Sequence, residues 1–265
     1  MRVACVQLRS GGDVNRNVAD AEELIRAAAG AGAEMVATPE MTTLLVRDRE
    51  ELVSKLDGSA AGVARLGELA AELGIHLLLG SAAVRQEGTI RNRAFLFGPD
   101  GVQLTHYDKM HMFDVDVSER EMWRESRTYL AGDVLAAVDV SGMRLGMTIC
   151  YDLRFAEMFR AYAREGCEII AVPAAFTVPT GRAHWEVLLR ARAIETGAFI
   201  LAPAQGGRHD DSRETYGHSC IIGPWGEILA QLESDEPGYI LSDIDRAEVE
   251  RARARIPVWS MEPRI

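Results

Sequence analysis

No run of this chain stays apolar for the roughly 20 residues that a membrane-spanning helix needs, and its four cysteines, Cys5, Cys150, Cys167 and Cys220, are far apart with no CxxC pair. The first absence argues against a transmembrane protein, and the second against a disulfide framework or a zinc knuckle. Positive charge is scarce too: 29 Lys and Arg stand against 40 Asp and Glu, a net charge of -11. That balance disfavours a nucleic-acid partner, whose phosphates need a basic face. His106 and His111 lie near each other, but no HExxH or comparable ligand set accompanies them, so no metal is expected. The opening "MRVACVQLRS" lacks the apolar core and small-residue cleavage site of a signal peptide, which makes a cytoplasmic location the expectation.

Repeats, low-complexity linkers and breaks in composition are also missing. The 265 residues, 48% hydrophobic and 26% charged, are therefore expected to form one globular domain over 1–265. Short apolar segments such as "VACVQL", "EMVATPE", "IHLLLGSAAV", "RLGMTIC" and "EIIAVPAAF" are bounded by Gly, Pro or charge, as strands are. Between them, "NRNVADAEELIRAAAGAG", "AGVARLGELAAELG", "FAEMFRAYAREG" and "HWEVLLRARAIETG" carry helical spacing, and each ends at a glycine suited to a left-handed cap. In the last, Trp185, Leu188, Leu189 and Ala193 share one face, a packing stripe. The alternation of strand and helix predicts an α/β fold with helices covering large mixed sheets.

Reactive groups in open α/β sheets collect at the carboxyl ends of strands, and three such places carry useful chemistry here. "EMVATPE" finishes on Glu40, "THYDKMHMFDVDV" holds Lys109 among aromatic and apolar residues, and "MRLGMTICYDLRF" ends an apolar run at Cys150. Taken singly, each has a plainer reading: a solvated carboxylate, a surface lysine and a small core thiol. Cys5, Cys167 and Cys220, inside apolar runs, are read as packing residues. Cys150 differs in sitting at a strand-to-helix elbow, where helix N-terminal N–H groups favour a thiolate and can bind an oxyanion. A thiol that attacks a carbonyl or nitrile carbon needs a base for its proton and positive charge for the tetrahedral intermediate. Glu, Lys and Cys supply those parts.

The blocks "ATPE", "YDKMHMFDVDV" and "GMTICYDLRFAE" resemble, in order and spacing, the three signature blocks of the nitrilase superfamily, the carbon–nitrogen hydrolases. The likeness runs nearly end to end through "LLLGSA", "FGPDG", "VPAAFT", "AHWEVLLRARAIE", "YGHS" and "GPWGE". It implies a four-layer αββα sandwich that assembles through its outer helices into a homodimer or larger homo-oligomer, needing no cofactor. It further implies that Glu40 is the general base, Lys109 the cation facing the tetrahedral intermediate and Cys150 the nucleophile, with the backbone N–H of Tyr151 completing the oxyanion site. Glu125 falls where relatives place a second glutamate beside the lysine, and His111 where they carry a structural histidine. Asp152, Arg154 and Glu157 are expected to brace the elbow, Arg154 also being able to meet a substrate carboxylate. Ala174, Ala175 and Phe176 are expected in the pocket wall.

Within the superfamily the second half of the chain resembles the amidases of deaminated glutathione, while the lysine and cysteine blocks suit the omega-amidases equally well. Both act on small, acidic 2-oxo amides. Such substrates call for a further cation, for which Arg154, Arg182, Arg208 and His209 are candidates. Two departures, the lack of an aromatic residue two places after Glu40 and Arg182 in "GRAHW" where proline is common, are expected to border the substrate entrance. A nitrilase acting on a small nitrile, a non-catalytic protein that kept the fold, and a metallohydrolase are the rival readings.

Overall fold

The computed structural model describes residues 1–118 and 121–261. Two six-stranded sheets dominate it, and they share one plan. In the first, strands run in the order Gly238–Asp243, Arg2–Gln7, Met35–Ala37, His76–Gln86, Thr89–Phe97, Gln103–Asp108. In the second the order is Ala137–Val140, Met143–Met147, Ile169–Ala171, Phe199–Ala202, Cys220–Ile222, Ile228–Gln231. Each has three parallel strands in the middle, one antiparallel strand on one side and two on the other.

Alternation along the strands separates the layers. In Arg2–Gln7 the side chains of Val3 and Cys5 point at the second sheet, while Ala4 and Val6 pack under helices α1 (Val14–Gly30) and α2 (Arg49–Leu73) through Ile25 and Leu66. The outer face of the second sheet is covered by α3 (Ala156–Arg164) and α4 (Val178–Thr196), through Phe159, Tyr162, Trp185, Leu189 and Ala193. The result is the expected αββα sandwich. Gly32, Gly74, Gly166 and Gly197, which follow the four helices, all have positive φ, as their caps require.

Three elements differ from the sequence reading. Helix α2 begins at Arg49, not near Ala61, because Asp48 caps it by accepting from the Glu51 N–H, and Gly62 lies inside it where a Cβ would meet Val18 at 2.7 Å. Helix α4 starts at Val178, six residues before His184, with Pro179 in its first turn. A fifth helix, α5 (Arg246–Arg255), has six charged residues in ten and buries only Val249 and Ala252, so it leaves little apolar period to read. Among the described residues no helix is long and apolar enough to cross a membrane.

Candidate active site

The strands Met35–Ala37, His76–Gln86 and Gln103–Asp108 run the same way, so Glu40 and Lys109 leave the first sheet from the same edge. Cys150 leaves the second sheet just beyond Met143–Met147. The two sheet edges are drawn together at Gly80, where a Cβ would lie 1.9 Å from the Thr38 carbonyl oxygen and 2.5 Å from Pro173. Pro173 in turn accepts the Cys150 N–H (2.9 Å). A side chain at position 80 would therefore push the glutamate strand away from the cysteine strand.

The loop that carries Glu40 is pinned on several sides. Ser81 accepts the Met41 N–H at 2.9 Å, Thr42 donates to the Pro39 carbonyl at 2.7 Å, and the Gln205 amide donates to the Glu40 carbonyl at 3.1 Å. Met41 and Cys150 both adopt positive φ (58° and 52°) although neither is glycine. Strained backbone next to both Glu40 and the thiol persists only because its surroundings over-determine it.

Within this frame Glu40, Lys109, Glu125 and Cys150 converge. The Lys109 Nζ donates to Glu40 Oε1 at 2.9 Å and to both oxygens of Glu125 at 2.9 and 2.8 Å. Asn92 Nδ2 bridges the two carboxylates, at 2.9 Å from Glu40 Oε1 and 3.2 Å from Glu125 Oε1, and its carbonyl accepts the Lys109 N–H. Glu125 also receives the Phe113 N–H at 2.7 Å. The Cys150 thiol faces Glu40 within hydrogen-bonding reach and is approached by the Ala175 N–H. Lys109 is only 2% exposed and Glu40 5%; a buried charge of this kind is tolerable only with such partners.

The protonation states left open by the sequence now take a direction. Burial pushes the Glu40 carboxyl up, but the Lys109 charge and hydrogen bonds from Lys109, Cys150 and Asn92 outweigh it and hold the group below the usual carboxylate range. Burial pulls Lys109 down, yet Glu125 and Glu40 raise it well above its ordinary value. Burial and then the Glu40 charge push the Cys150 thiol well up, against Lys109 and the Ala175 N–H. The resting site thus holds a carboxylate, an ammonium and a neutral thiol, and the thiolate expected from the elbow alone is not the resting form.

Behind the thiol, the 3-10 turn Cys150–Arg154 is held by Asp152, which is fully buried. Its carboxylate accepts from Tyr107 Oη (2.7 Å), from the Ile149 and His111 N–H groups (2.9 and 3.1 Å) and meets His111 Nδ1 at 2.6 Å. Burial and the adjacent Asp152 push the Tyr107 hydroxyl far up, so it remains a donor. His111 stacks on Phe155 with centroids 3.5 Å apart, which fits a structural role. Glu157 is exposed on α3, and Arg154 contacts His184 (3.2 Å) and the faces of Tyr151 and Phe176, so among the described residues the expected three-residue brace is reduced to Asp152 with its partners Tyr107 and His111.

Glu40, Lys109, Glu125 and Cys150 open into a cavity of about 450 Å³, also lined by Tyr151, Arg154, Ala175 and Phe176. Ala174 is not part of this wall: it is fully buried, donating to the Pro203 carbonyl and accepting from Gln205. Arg182 and Arg208 line a different depression with Tyr216 and Asp235, and His209 is buried between Ser10 and Thr215. Neither departure noted in the sequence touches the cavity, since Thr42 is buried against Thr38. Sequence reasoning missed Asn92, Arg47 and Arg213. Asn92 left a signal, because it falls between Ile90 and Ala94 on the buried face of its strand, where a polar side chain needs a reason. Among the described residues no group of three or more His, Cys, Asp or Glu stands together as a metal site.

A buried thiol beside an ionised carboxylate and an ammonium, in a cavity that fits a small molecule, is equipped for acyl transfer through a thioester. Residues 2–254 match the family model described as carbon-nitrogen hydrolase, and the chain belongs to this family, within the nitrilase superfamily. It is a thiol-dependent amidase of small carbon–nitrogen substrates. The chain is 38% identical over 259 residues to a deaminated glutathione amidase of Synechocystis sp., covering 96% of this chain and 95% of that protein. It is 38% identical over 260 residues to the omega-amidase NIT2 of Homo sapiens, covering 97% and 93%. The crystal structure of the Caenorhabditis elegans NitFhit protein superimposes with a TM-score of 0.93 at 33% identity, over 98% of this chain and 64% of the worm chain.

Proposed function

We propose that Cys150 is the nucleophile, Glu40 the proton shuttle, Lys109 the oxyanion cation and Glu125 the residue that positions Lys109, in a single hydrolase domain spanning 1–265. The observation that carries this reading is the shared geometry of Glu40, which meets both the thiol and the Lys109 ammonium. The Glu40 carboxylate takes the thiol proton as Sγ bonds to the amide carbon, and the carbonyl π pair moves onto oxygen. That oxyanion faces Lys109 Nζ and the Tyr151 N–H, one of the first N–H groups of a helical turn, which lack intrahelical acceptors. Collapse breaks the C–N bond, and the departing amine takes the proton from Glu40. Water then attacks the thioester while Glu40 accepts its proton, the C–S bond breaks, and the acid leaves as the thiol is restored.

The substrate class best supported is a small acidic 2-oxo amide, with a deaminated glutathione-like amide ahead of a simple omega-amide. Five arginines, Arg47, Arg124, Arg127, Arg154 and Arg213, line the cavity of a chain with net charge -11, which suits an anionic ligand. Arg154, stacked beside the nucleophile's turn, is the group we assign to the 2-oxo carboxylate. The four unpaired, buried cysteines fit a reducing, cytoplasmic setting. Exposed Val187, Ile194 and Trp225 on and beside α4 support self-association of that helix layer. The test is a panel of 2-oxo amides, simple aliphatic amides and nitriles: selective hydrolysis of the 2-oxo amides supports the reading. Good turnover of a plain aliphatic amide with none of the 2-oxo amides would falsify it.

A further inference from the structure

Two side chains, not one, tie the carboxylates of the site together. Lys109 Nζ donates to Glu40 Oε1 and to Glu125 Oε1, each at 2.9 Å. Asn92 Nδ2 donates to the same two atoms, at 2.9 and 3.2 Å. The four contacts close a ring in which Glu40 Oε1 has two donors, one charged and one neutral. Glu125 turns its second oxygen to the ammonium as well, at 2.8 Å. Among the described residues Lys109 meets Glu40 only at Oε1, while the Cys150 thiol stands within hydrogen-bonding reach of the same carboxylate.

Asn92 is rigidly placed. Its strand, Thr89–Phe97, is paired on both sides, with His76–Gln86 and Gln103–Asp108, and its carbonyl accepts the Lys109 N–H at 2.9 Å, so amide and ammonium are anchored to each other. The residue is 1% exposed, and its Oδ1 is buried with no hydrogen-bond partner among the described residues. An unpaired buried acceptor is costly. Turning the amide over would set that oxygen against two carboxylate oxygens, which is worse. The orientation therefore serves Glu40 and Glu125, and Oδ1 goes unpaired.

We propose that Asn92 is a positioning residue for the general base: by sharing Oε1 with Lys109, it reserves Glu40 Oε2 for the proton exchanged with the thiol, the leaving amine and the attacking water. This role deepens the assignment of Glu40 as proton shuttle and rests on it. Without the amide, Glu40 is free to turn both oxygens to Lys109, as Glu125 does, and the base swings away from the thiol. With it, a proton on Oε2 leaves both bonds at Oε1 intact, because a neutral carboxyl still accepts through its carbonyl oxygen. Glu40 then takes and returns a proton twice in each turnover without moving.

The titratable groups facing Glu40 are Lys109, Cys150 and Glu125, with Tyr129 on the cavity wall. Alkylation of Cys150 by iodoacetamide, followed across pH by peptide mass spectrometry, tests the role without a substrate. Sγ bonds to the methylene carbon, iodide leaves with the C–I pair, and the thiol proton passes to Glu40. The wild-type rate should fall in acid as Glu40 is protonated; E40Q should remove that limb and slow alkylation about a hundredfold near neutrality. N92L, close in size but without a donor, should raise the limb by about one pH unit and slow alkylation about tenfold. N92A should raise it too, and keeps the test open if N92L does not fold. A merely structural asparagine would change the rate alike at every pH and leave the limb in place, which overturns the role. If E40Q leaves the rate unchanged, the shuttle reading falls with it; if E40Q removes the limb and neither Asn92 variant moves it, the role of Asn92 alone fails.

Discussion

The cavity's inner wall and its rim both carry charge, and they handle it in opposite ways. Inside, Lys109 is enclosed by Glu40 and Glu125, with Asn92 closing the gap between the carboxylates. At the rim, among the described residues, Arg154 has a histidine and two ring faces, and Arg213 has a single carboxylate and an Nε with no hydrogen-bond partner. A saturated cluster is rigid and fixes protonation states, which suits bond making and breaking. An unsaturated one has binding capacity left over for a ligand. The difference separates chemistry from selection within one cavity.

That separation can be broken experimentally. The largest effect short of losing the thiol is expected from K109M, which leaves the buried Glu40 and the half-buried Glu125 without their shared ammonium: kcat should fall by roughly 10²- to 10³-fold. Thermal unfolding should also shift down, by an amount equivalent to about 3–5 kcal/mol. E125Q keeps the shape but weakens the grip on Lys109, and should lower kcat about tenfold with little change in KM. At the rim the balance reverses: R154Q should raise KM for an acidic amide about tenfold while kcat changes less.

The smallest effect is expected from pH. Glu40 sits below its ordinary range in the folded protein, so it stays ionised through neutrality, while Lys109 and Cys150 are shifted upward and keep their protons there. The pH profile of kcat/KM should be level across the neutral range and decline only as acid protonates Glu40. The sign for stability agrees: a depressed carboxyl adds stability above its unfolded value, lost as pH falls toward the folded one. An acid limb centred at or above the ordinary carboxylate range would contradict the assigned ionisation.

The inner wall was legible in the sequence and the rim was not. Glu40, Lys109 and Cys150 each lie in a local block whose order and context resemble one family, and Glu125 falls between two of those blocks where relatives place a second glutamate; the αββα layers followed from that likeness, since the strand pattern alone gave only an α/β fold. Asn92 was readable in principle from its phase on a strand. Arg47, Trp123 and Arg213 come from three separate segments with no local pattern, and only the packing of both sheets brings them together. Helix α5 was silent for a different reason, since a helix that buries two side chains has no apolar face to announce it. Ala174 illustrates the opposite error: a residue in the right block turned one position away from the cavity, into the core.

All four cysteines are buried, so burial does not distinguish Cys150 from Cys5, Cys167 and Cys220; the neighbours Glu40 and Lys109 do. Rapid mixing of enzyme with a 2-oxo amide, acid quench and peptide mass spectrometry tests that distinction directly. The expected result is the mass of the acyl group on the peptide containing Cys150, absent from the C150A variant, which should retain the fold and lack turnover. An acyl adduct on another cysteine, or undiminished hydrolysis by C150A, would contradict the assignment.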